Sequence, residues 1–400
     1  MSPLFHPDQL FSLTNAEWND WLTIGSAAKR YYFLLKDDPT LQIVHPSTVL
    51  AEVNRHPRDE HIVFIDDGHY YLIHGRRAIA SVTGVIAMHH EEFHSLEGLK
   101  ALGWAKRNGE HKGCYGWQVI DKWTLGGREA SFAGSEMHAY LEDYANGKHI
   151  PFAPHLQHQL DAFLRFYHLK LVKEWGFELY RTEMVIYADV DRPGWQDICG
   201  SVDLICVRTR PADGSKEYLI IDHKNSKLKR LSYNGRKMKG VFSQLYDTNC
   251  CHYEVQVNIY AAILREFYDM DIPSKNLYFI SYHPELGKIP NTVLPCKHGY
   301  YLQQARDLSY EVQQLFAEPR EEFERKINAS KRSLKREEAV TDFASNVPYM
   351  KQNSVAWLAL NGRKKGLKLR LPELMVDYVL GLLMGSEFSE EELNLLYDIV

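Results

Sequence analysis

Two stretches of this chain set acids at the ends of apolar runs. Gly200-Ser-Val-Asp203-Leu-Ile-Cys-Val-Arg208 is followed by the turn-rich Pro211-Ala-Asp-Gly-Ser-Lys216, and then by Tyr218-Leu-Ile-Ile-Asp222-His-Lys224. Folded as an antiparallel hairpin about Ala212 and Asp213, the simplest register sets Asp203 opposite Asp222, with Cβ atoms about 4.5–5.5 Å apart. Side chains alternate along a strand, so Asp222 and Lys224 share a face while Ile221 and His223 point the other way. Two carboxylates this close repel and raise one pKa unless a divalent cation lies between them. Hard oxygen donors suit Mg²⁺ or Mn²⁺, which polarise a phosphate and acidify a bound water, while a neighbouring lysine orients that water or neutralises developing charge. In outline that is phosphodiester hydrolysis.

The same three residues also describe an ordinary hairpin with solvated aspartates and Lys224 as their ion-pair partner. The surroundings weigh toward the metal. Leu219-Ile-Ile221 and Leu204-Ile-Cys-Val207 are apolar on both faces, the pattern of strands inside a covered sheet. An acid at the end of such a strand is costly to bury without a cation or a catalytic cleft to explain it.

In chain order, Gly134-x-x-x-His138-x-x-x-Glu142, Glu183, Gly200-x-x-Asp203, Asp222-x-Lys224 and Gln256-x-x-x-Tyr260 resemble the motif series of the PD-(D/E)XK nuclease superfamily, most of all its RecB-type and lambda-exonuclease-like branch. Tyr71-Leu-Ile-His-Gly75, Ser81-Val-Thr83 and His252-Tyr-Glu-Val-Gln-Val-Asn-Ile-Tyr260 look like segments of phage and large-DNA-virus nucleases of that branch. The resemblance runs over residues 62–284 and rests on the ordered set, since D-x-K alone recurs by chance. It implies an α/β fold with a restriction-endonuclease-like core, a central mixed sheet flanked by helices, carrying helical N- and C-terminal additions. It also implies that Asp203, Asp222, His138 and the main-chain carbonyl of His223 hold Mg²⁺ or Mn²⁺ while Lys224 assists the nucleophilic water. Glu183 is then a further ligand, or only an edge-strand acid; Glu142 supports His138, or forms a surface ion pair. For His138 the alternative is a capping-turn histidine stacked on the core. Gln256 and Tyr260, one helical turn apart, contact DNA or steady the lysine, the bland alternative being a surface amide and a core tyrosine.

The activity implied is a metal-dependent DNA exonuclease that processes DNA ends in replication, recombination or repair, with DNA as partner and no membrane. Copies of itself, or replication and recombination proteins, are further partners the resemblance allows. A catalytically silent DNA-binding scaffold and an RNA-processing nuclease are the alternatives. Valine stands at 202 where the family's name has proline, and the cysteines that hold an iron-sulfur cluster in some relatives are missing.

Beside the site, residues 224–239 hold Lys224, Lys227, Lys229, Arg230, Arg236, Lys237 and Lys239 with no acid, a natural phosphate track or else a solvated loop. Tyr233 and Asn234 could stack or hydrogen-bond there. Arg363, Lys364, Lys365, Lys368 and Arg370 form a second basic cluster. His89-His-Glu-Glu-Phe-His94 carries ligand-type residues without a recognised spacing and reads as a polar loop; Cys250-Cys251-His252 reads as a helix start.

The elements that must position these residues are legible in part. His61-Ile-Val-Phe-Ile-Asp66 and His69-Tyr-Tyr-Leu-Ile-His74 about Asp67-Gly68 predict a hairpin. Leu96 to Trp123 is mostly helical in pattern, and a helix follows with Ser135 as N-cap and Gly147 as terminator. Further helices are expected over 154–175 and 253–268, and strands over 179–187, 202–208, 218–224 and 277–282. After Gly299 the chain reads as helical and charged, with a polar break at Ser330-Lys-Arg-Ser-Leu-Lys-Arg336 and a capping box at Ser389. The expected division is an N-terminal helical region over 1–58, a nuclease core over 59–328 and a C-terminal helical region over 329–400.

In 400 residues, 45% hydrophobic and 25% charged, there is room for such a core with appendages. No apolar run approaches the roughly 18 residues of a membrane span, and the start lacks the blocks of a signal peptide, so a soluble intracellular protein is expected. Six cysteines without C-x-x-C spacing predict reduced thiols and no structural metal. The net charge of −5 excludes a protein that coats nucleic acid by bulk positive charge and leaves room for local basic surfaces. No phosphate-binding G-x-x-x-x-G-K-[ST] loop is present.

Overall fold

The computed structural model describes residues 49–65, 70–90, 94, 95, 98, 111, 114, 116–148, 154–189, 191–228, 235–285 and 299–352. Lys229, Arg230, Tyr233, Asn234, the second basic cluster and the expected cap at Ser389 lie outside them. The chain divides into two compact units, Met1–Glu91 with Phe132–Ile327, and Glu92–Ser131 with Asn328–Val400.

The first unit opens with helix α1 (Val49–Val53) and a three-stranded antiparallel sheet, β1 (Ile62–Ile65), β2 (Tyr70–Ile73) and β3 (Arg76–Arg77). Ile62 pairs with Ile73 and Ile65 with Tyr70, the register expected of a hairpin centred on Asp67-Gly68. β3 was not anticipated. It arises because His74 (φ 49°) and Gly75 (φ 76°) both take positive φ, which makes the tight turn whose twist matches that of the strands. Ile62 and Ile73 pack on Tyr187 and Cys199, anchoring the small sheet to the large one.

That large sheet is mixed. β5 (Glu178–Tyr187) is antiparallel to β6 (Ile198–Thr209), β6 to β7 (Lys216–Lys224), and β8 (Leu277–Ser281) to β9 (Tyr301–Gln304), whereas β7 and β8 are parallel. The short β4 (Ala80–Ser81) adds in parallel to the start of β6. Where the expectation after Gly299 was helix alone, β9 comes first: Tyr301-Leu-Gln-Gln304 is too short for its period to be read, and pairing with β8 decides it.

Helices cover both faces. α2 (Val82–His89), α5 (Asn249–Phe267) and α6 (Ser309–Phe316) bury Val85, Val255, Ile259, Val312 and Leu315 with Val202, Ile205 and Ile220 of the sheet. On the other face Met137 and Leu141 of α3 (Gly116–Ala145), and Phe163 and Phe166 of α4 (Gln157–Arg165) and its π-helical continuation Phe166–Glu174, pack on Leu204, Cys206, Leu219 and Ile221. This is an α/β architecture with strands apolar on both sides.

Ser135 is not an N-cap. α3 runs unbroken from Gly116, carrying Gly126, Gly127 and Gly134 within it, because a continuous helix outweighs a cost of about 1 kcal/mol per interior glycine. Its end is as expected. Gly147 (φ 67°) donates to Tyr144 and Lys148 to Asp143, the paired bonds of a left-handed helix stop.

Within the second unit, the Ser95 amide donates to Glu337 at 3.0 Å and its hydroxyl reaches the same carboxylate, while Trp123 meets His111 edge-on at 5.9 Å. Helix α7 (Arg320–Gln352) continues through residues 330–336, where a polar break was expected; lysine, arginine and glutamate are good helix formers. No disulfide forms among the described cysteines, and among the described residues no helix is long and apolar enough to cross a membrane.

Candidate active site

The β6–β7 hairpin forms in the expected register, with Leu204 opposite Ile221, Thr209 opposite Lys216, and the turn closed between Arg210 and Ser215. The ladder stops one pair short of Asp203 and Asp222. Asp203 instead turns its carboxylate onto the neighbouring strand, where Oδ2 accepts the His223 amide at 2.7 Å. The packing shows why simple alternation fails here. Val202 and Ile205 lie in one core and Leu204 in the other, so the strand changes parity at Asp203. Alongside, between Thr182 and Met184, Glu183 sits at φ 45°, a left-handed conformation that costs a non-glycine residue about 1–2 kcal/mol. Two irregular strands thus aim two acids at one point, and strain of this kind gathers at functional sites.

His138 of α3 meets them, with Nδ1 3.4 Å from Glu183 Oε1 and 3.7 Å from Asp203 Oδ2. The possible ligand atoms of His138, Glu183 and Asp203 all lie within 4.8 Å of one another. Ser201 donates to Glu183 Oε2 at 3.0 Å and fixes its rotamer. Asp222, which is outside that three-residue cluster, couples by charge to Asp203 and His138, and Lys224, two residues on along β7, brings its Nζ to 2.7 Å from Asp222 Oδ2.

The electrostatics are those of a site short of positive charge. Burial pushes Asp203 up to about 7; the charge of His138 opposes the rise and that of Asp222 adds to it. Burial likewise raises Asp222, against the pull of Lys224. Burial works against protonated His138 too, but Asp203 and Glu183 outweigh it and hold its pKa at about 9. Lys224 loses charge stability by burial and regains more from Asp222 and Asp203, so its pKa lies above the ordinary lysine range.

Asp222 is only 1% exposed, and neither of its oxygens accepts a hydrogen bond of proper geometry. Lys224 pairs with it by charge, and a proton shared with Asp203 is the remaining relief. A divalent cation fits this donor set: two clustered carboxylates and an imidazole from Asp203, Glu183 and His138, with the orphaned buried oxygens of Asp222 coupled to Asp203. The nitrogen ligand makes Mn²⁺ at least as suitable as Mg²⁺.

His223 turns its ring into the opposite core, where it shares a hydrogen bond with the Tyr282 hydroxyl at 3.1 Å and stands edge-on to Phe163. Burial lowers its pKa well below the usual value, so the ring is neutral. Glu142 is buried one turn along α3 and is not among the three clustered ligand residues. Gln256 and Tyr260 are buried as well, with the amide donating to the phenol at 3.0 Å. This placement suits a supporting role better than contact with DNA. The Tyr260 ring presses on Gly200, where a Cβ would lie 2.7 Å from Cε1, so only glycine lets α5 seat this close to β6.

Of the basic segment, Lys227 pairs with Glu285 at 2.8 Å, and Lys237 lies 3.6 Å over the Tyr246 ring and donates to the Gln244 carbonyl. Arg236, Lys237 and Lys239 are exposed. Sequence reasoning missed Ser201 and Tyr253, whose ring lies 4.9 Å from Lys224 Nζ. Ser201 was within reach, standing two residues before Asp203 on the same strand; Tyr253 lay inside the His252–Tyr260 segment without a role assigned to it. No protein-family model matches this chain, and neither a curated protein nor a solved structure matches it, so the chemistry of the site is carried by these residues alone.

Proposed function

We propose that the chain is a divalent-metal-dependent deoxyribonuclease of the PD-(D/E)XK superfamily, with a restriction-endonuclease-like core, and that it acts as an exonuclease on DNA ends in replication, recombination or repair. One observation carries the reading: Asp222 is buried with neither oxygen accepting a hydrogen bond of proper geometry, and it couples by charge to Asp203, which clusters with Glu183 and His138, against the two cations Lys224 and protonated His138. A structural ion pair does not need three acids around a lysine and a histidine, and it is costly to build in a core.

Asp203, Asp222, Glu183 and His138 would hold Mg²⁺ or Mn²⁺, with the His223 carbonyl as the further ligand the family resemblance implies. Once bound, the ion would supply Lewis acidity toward the phosphate and an acidified water. Lys224 stays protonated between Asp222 and the Tyr253 ring, placed to hold the attacking water or to balance charge developing on the phosphate. Ser201 and the Gln256–Tyr260 pair keep Glu183 and β6 in position. Arg236, Lys237 and Lys239, exposed and following β7 in the chain, would offer phosphate contacts.

The test is cleavage of end-labelled linear DNA and closed circular DNA by purified protein with Mg²⁺, Mn²⁺ or EDTA, beside Lys224→Ala. Metal-dependent loss of linear DNA, abolished by the substitution, supports the assignment, and survival of the circle marks an exonuclease. Cleavage of RNA alone moves the reading to an RNA-processing nuclease. Equal DNA binding by both proteins without any cleavage replaces it with a DNA-binding scaffold.

A further inference from the structure

Two segments without a role in the chemistry above, the histidine-rich stretch after α2 and the start of α5, converge in space. His90 caps the C-terminal end of α2, Asp247 immediately precedes the Thr248 cap of α5, and His252 lies in the first turn of α5. His252 Nε2 is 2.7 Å from Asp247 Oδ1, and the His90 and His252 rings are 4.9 Å apart at a 31° tilt. The ligand atoms these three residues can offer all lie within 4.8 Å of one another.

We propose that His90, Asp247 and His252 form a second metal site, of the zinc class, separate from the catalytic centre. Two imidazoles and one carboxylate are a borderline donor set that favours Zn²⁺ or Co²⁺ over Mg²⁺, in contrast to the carboxylate-rich centre on β6 and β7. Ligands about 2.0–2.1 Å from a tetrahedral Zn²⁺ stand about 3.3 Å from each other. Closing the present cluster onto an ion therefore takes a small parting of Asp247 from His252 and a small approach by His90. Three protein ligands leave a fourth position for water.

The site has a structural consequence for the basic segment. Residues 225–246 run from the catalytic lysine's strand to this cluster. Their far part is already held beside α2, since the Lys239 amide donates to the His89 carbonyl at 2.6 Å and Phe242 stands edge-on to the His89 ring. An ion bridging His90 to Asp247 and His252 ties the end of that segment to α2 and so holds the exposed Arg236, Lys237 and Lys239 in a fixed place. The residues are none of those assigned to catalysis, so the inference stands or falls independently of the nuclease reading.

The experiment uses the full chain carrying Asp203→Asn, which disables the first centre as a competitor. Equilibrium dialysis with Zn²⁺, visible absorption with Co²⁺, and thermal melting with and without Zn²⁺ are then compared in that parent and after adding His90→Ala or, separately, His252→Ala. The expected result is one equivalent of Zn²⁺ in the parent, Co²⁺ bands that Zn²⁺ abolishes, and a Zn²⁺-dependent rise in melting temperature. Either added substitution should weaken the affinity at least about a hundredfold and remove the rise. A parent that binds no Zn²⁺ overturns the proposal whatever the variants do. So does a His90→Ala protein that binds Zn²⁺ as tightly as its parent. Metal-free melting of each variant shows whether it is folded, and His90→Gln replaces His90→Ala if the latter is not.

Discussion

Replacing Asp203 by asparagine separates a metal ligand from a stabilising ion-pair partner. Asp203 is 9% exposed, and burial carries its carboxyl from 3.8 to about 7. Because the folded-state pKa exceeds the unfolded one, ionisation opposes folding. The cost is absent below about pH 3.8, grows as pH rises through the interval from 3.8 to 7, and is complete above about pH 7. At about 1.4 kcal/mol per pH unit it reaches about 4 kcal/mol at pH 8 and stays below about 2 kcal/mol at pH 5. His138 offsets part of it. Its pKa is raised from 6.5 to about 9, so its contribution is complete below 6.5 and is lost as pH rises through 9. Under half of that contribution survives at pH 8, and most of it goes with Asp203. Asparagine keeps an oxygen for the His223 amide, so the variant should be more stable than wild type by about 1–3 kcal/mol in EDTA at pH 8, with the gain lost or reversed at pH 5, where the His138 contribution of about 3 kcal/mol is complete. Urea denaturation at the two pH values measures this. Addition of Mn²⁺ should reverse the order, since a ligand at a hundredfold excess over its Kd stabilises the protein that binds it by about 2.7 kcal/mol. A variant less stable than wild type at pH 8 without metal would refute the reasoning, because Asp203 would then be a net-stabilising partner of His138.

Lys224→Ala should lower turnover on linear DNA by about 10²–10³-fold while calorimetry still detects Mn²⁺ binding; undiminished turnover removes Lys224 from the chemistry. Mn²⁺ affinity should rise about tenfold per pH unit between pH 7 and 9, because His138, with its pKa at about 9, must lose a proton to ligate, and a flat profile excludes it as a ligand. Gly200→Ala brings a Cβ to 2.7 Å from the Tyr260 ring, which is enclosed and cannot swing away, so unfolding stability should fall by about 1–3 kcal/mol. Adding Tyr260→Leu should recover most of that loss in a double-mutant cycle, and purely additive effects would show that the contact is not the cause.

Short-range physics made much of this molecule legible from its residues. The β6–β7 register followed from a hairpin centred on Ala212 and Asp213, and the end of α3 from the backbone freedom of Gly147. The helix start at Cys250-Cys251-His252 was legible too, with Thr248 as its cap. Where such reasoning failed, longer-range contacts had overridden a local preference. Gly134-Ser135 resembles a helix start, yet the packing of Met137 and Leu141 carries α3 straight through it.

The site divides along the same line. The donor types, the placing of Asp222 and Lys224 two apart on one strand, and the apolar runs that bury them are properties of adjacent residues, and alternation alone reveals them. The parity change at Asp203, the left-handed Glu183 and the approach of His138 belong to three separated segments, and only their packing together determines them. The same is true of His90, Asp247 and His252. Each lies in a stretch that reads locally as a loop or a helix start, and the convergence exists only because α2 and α5 cover the same face of the sheet.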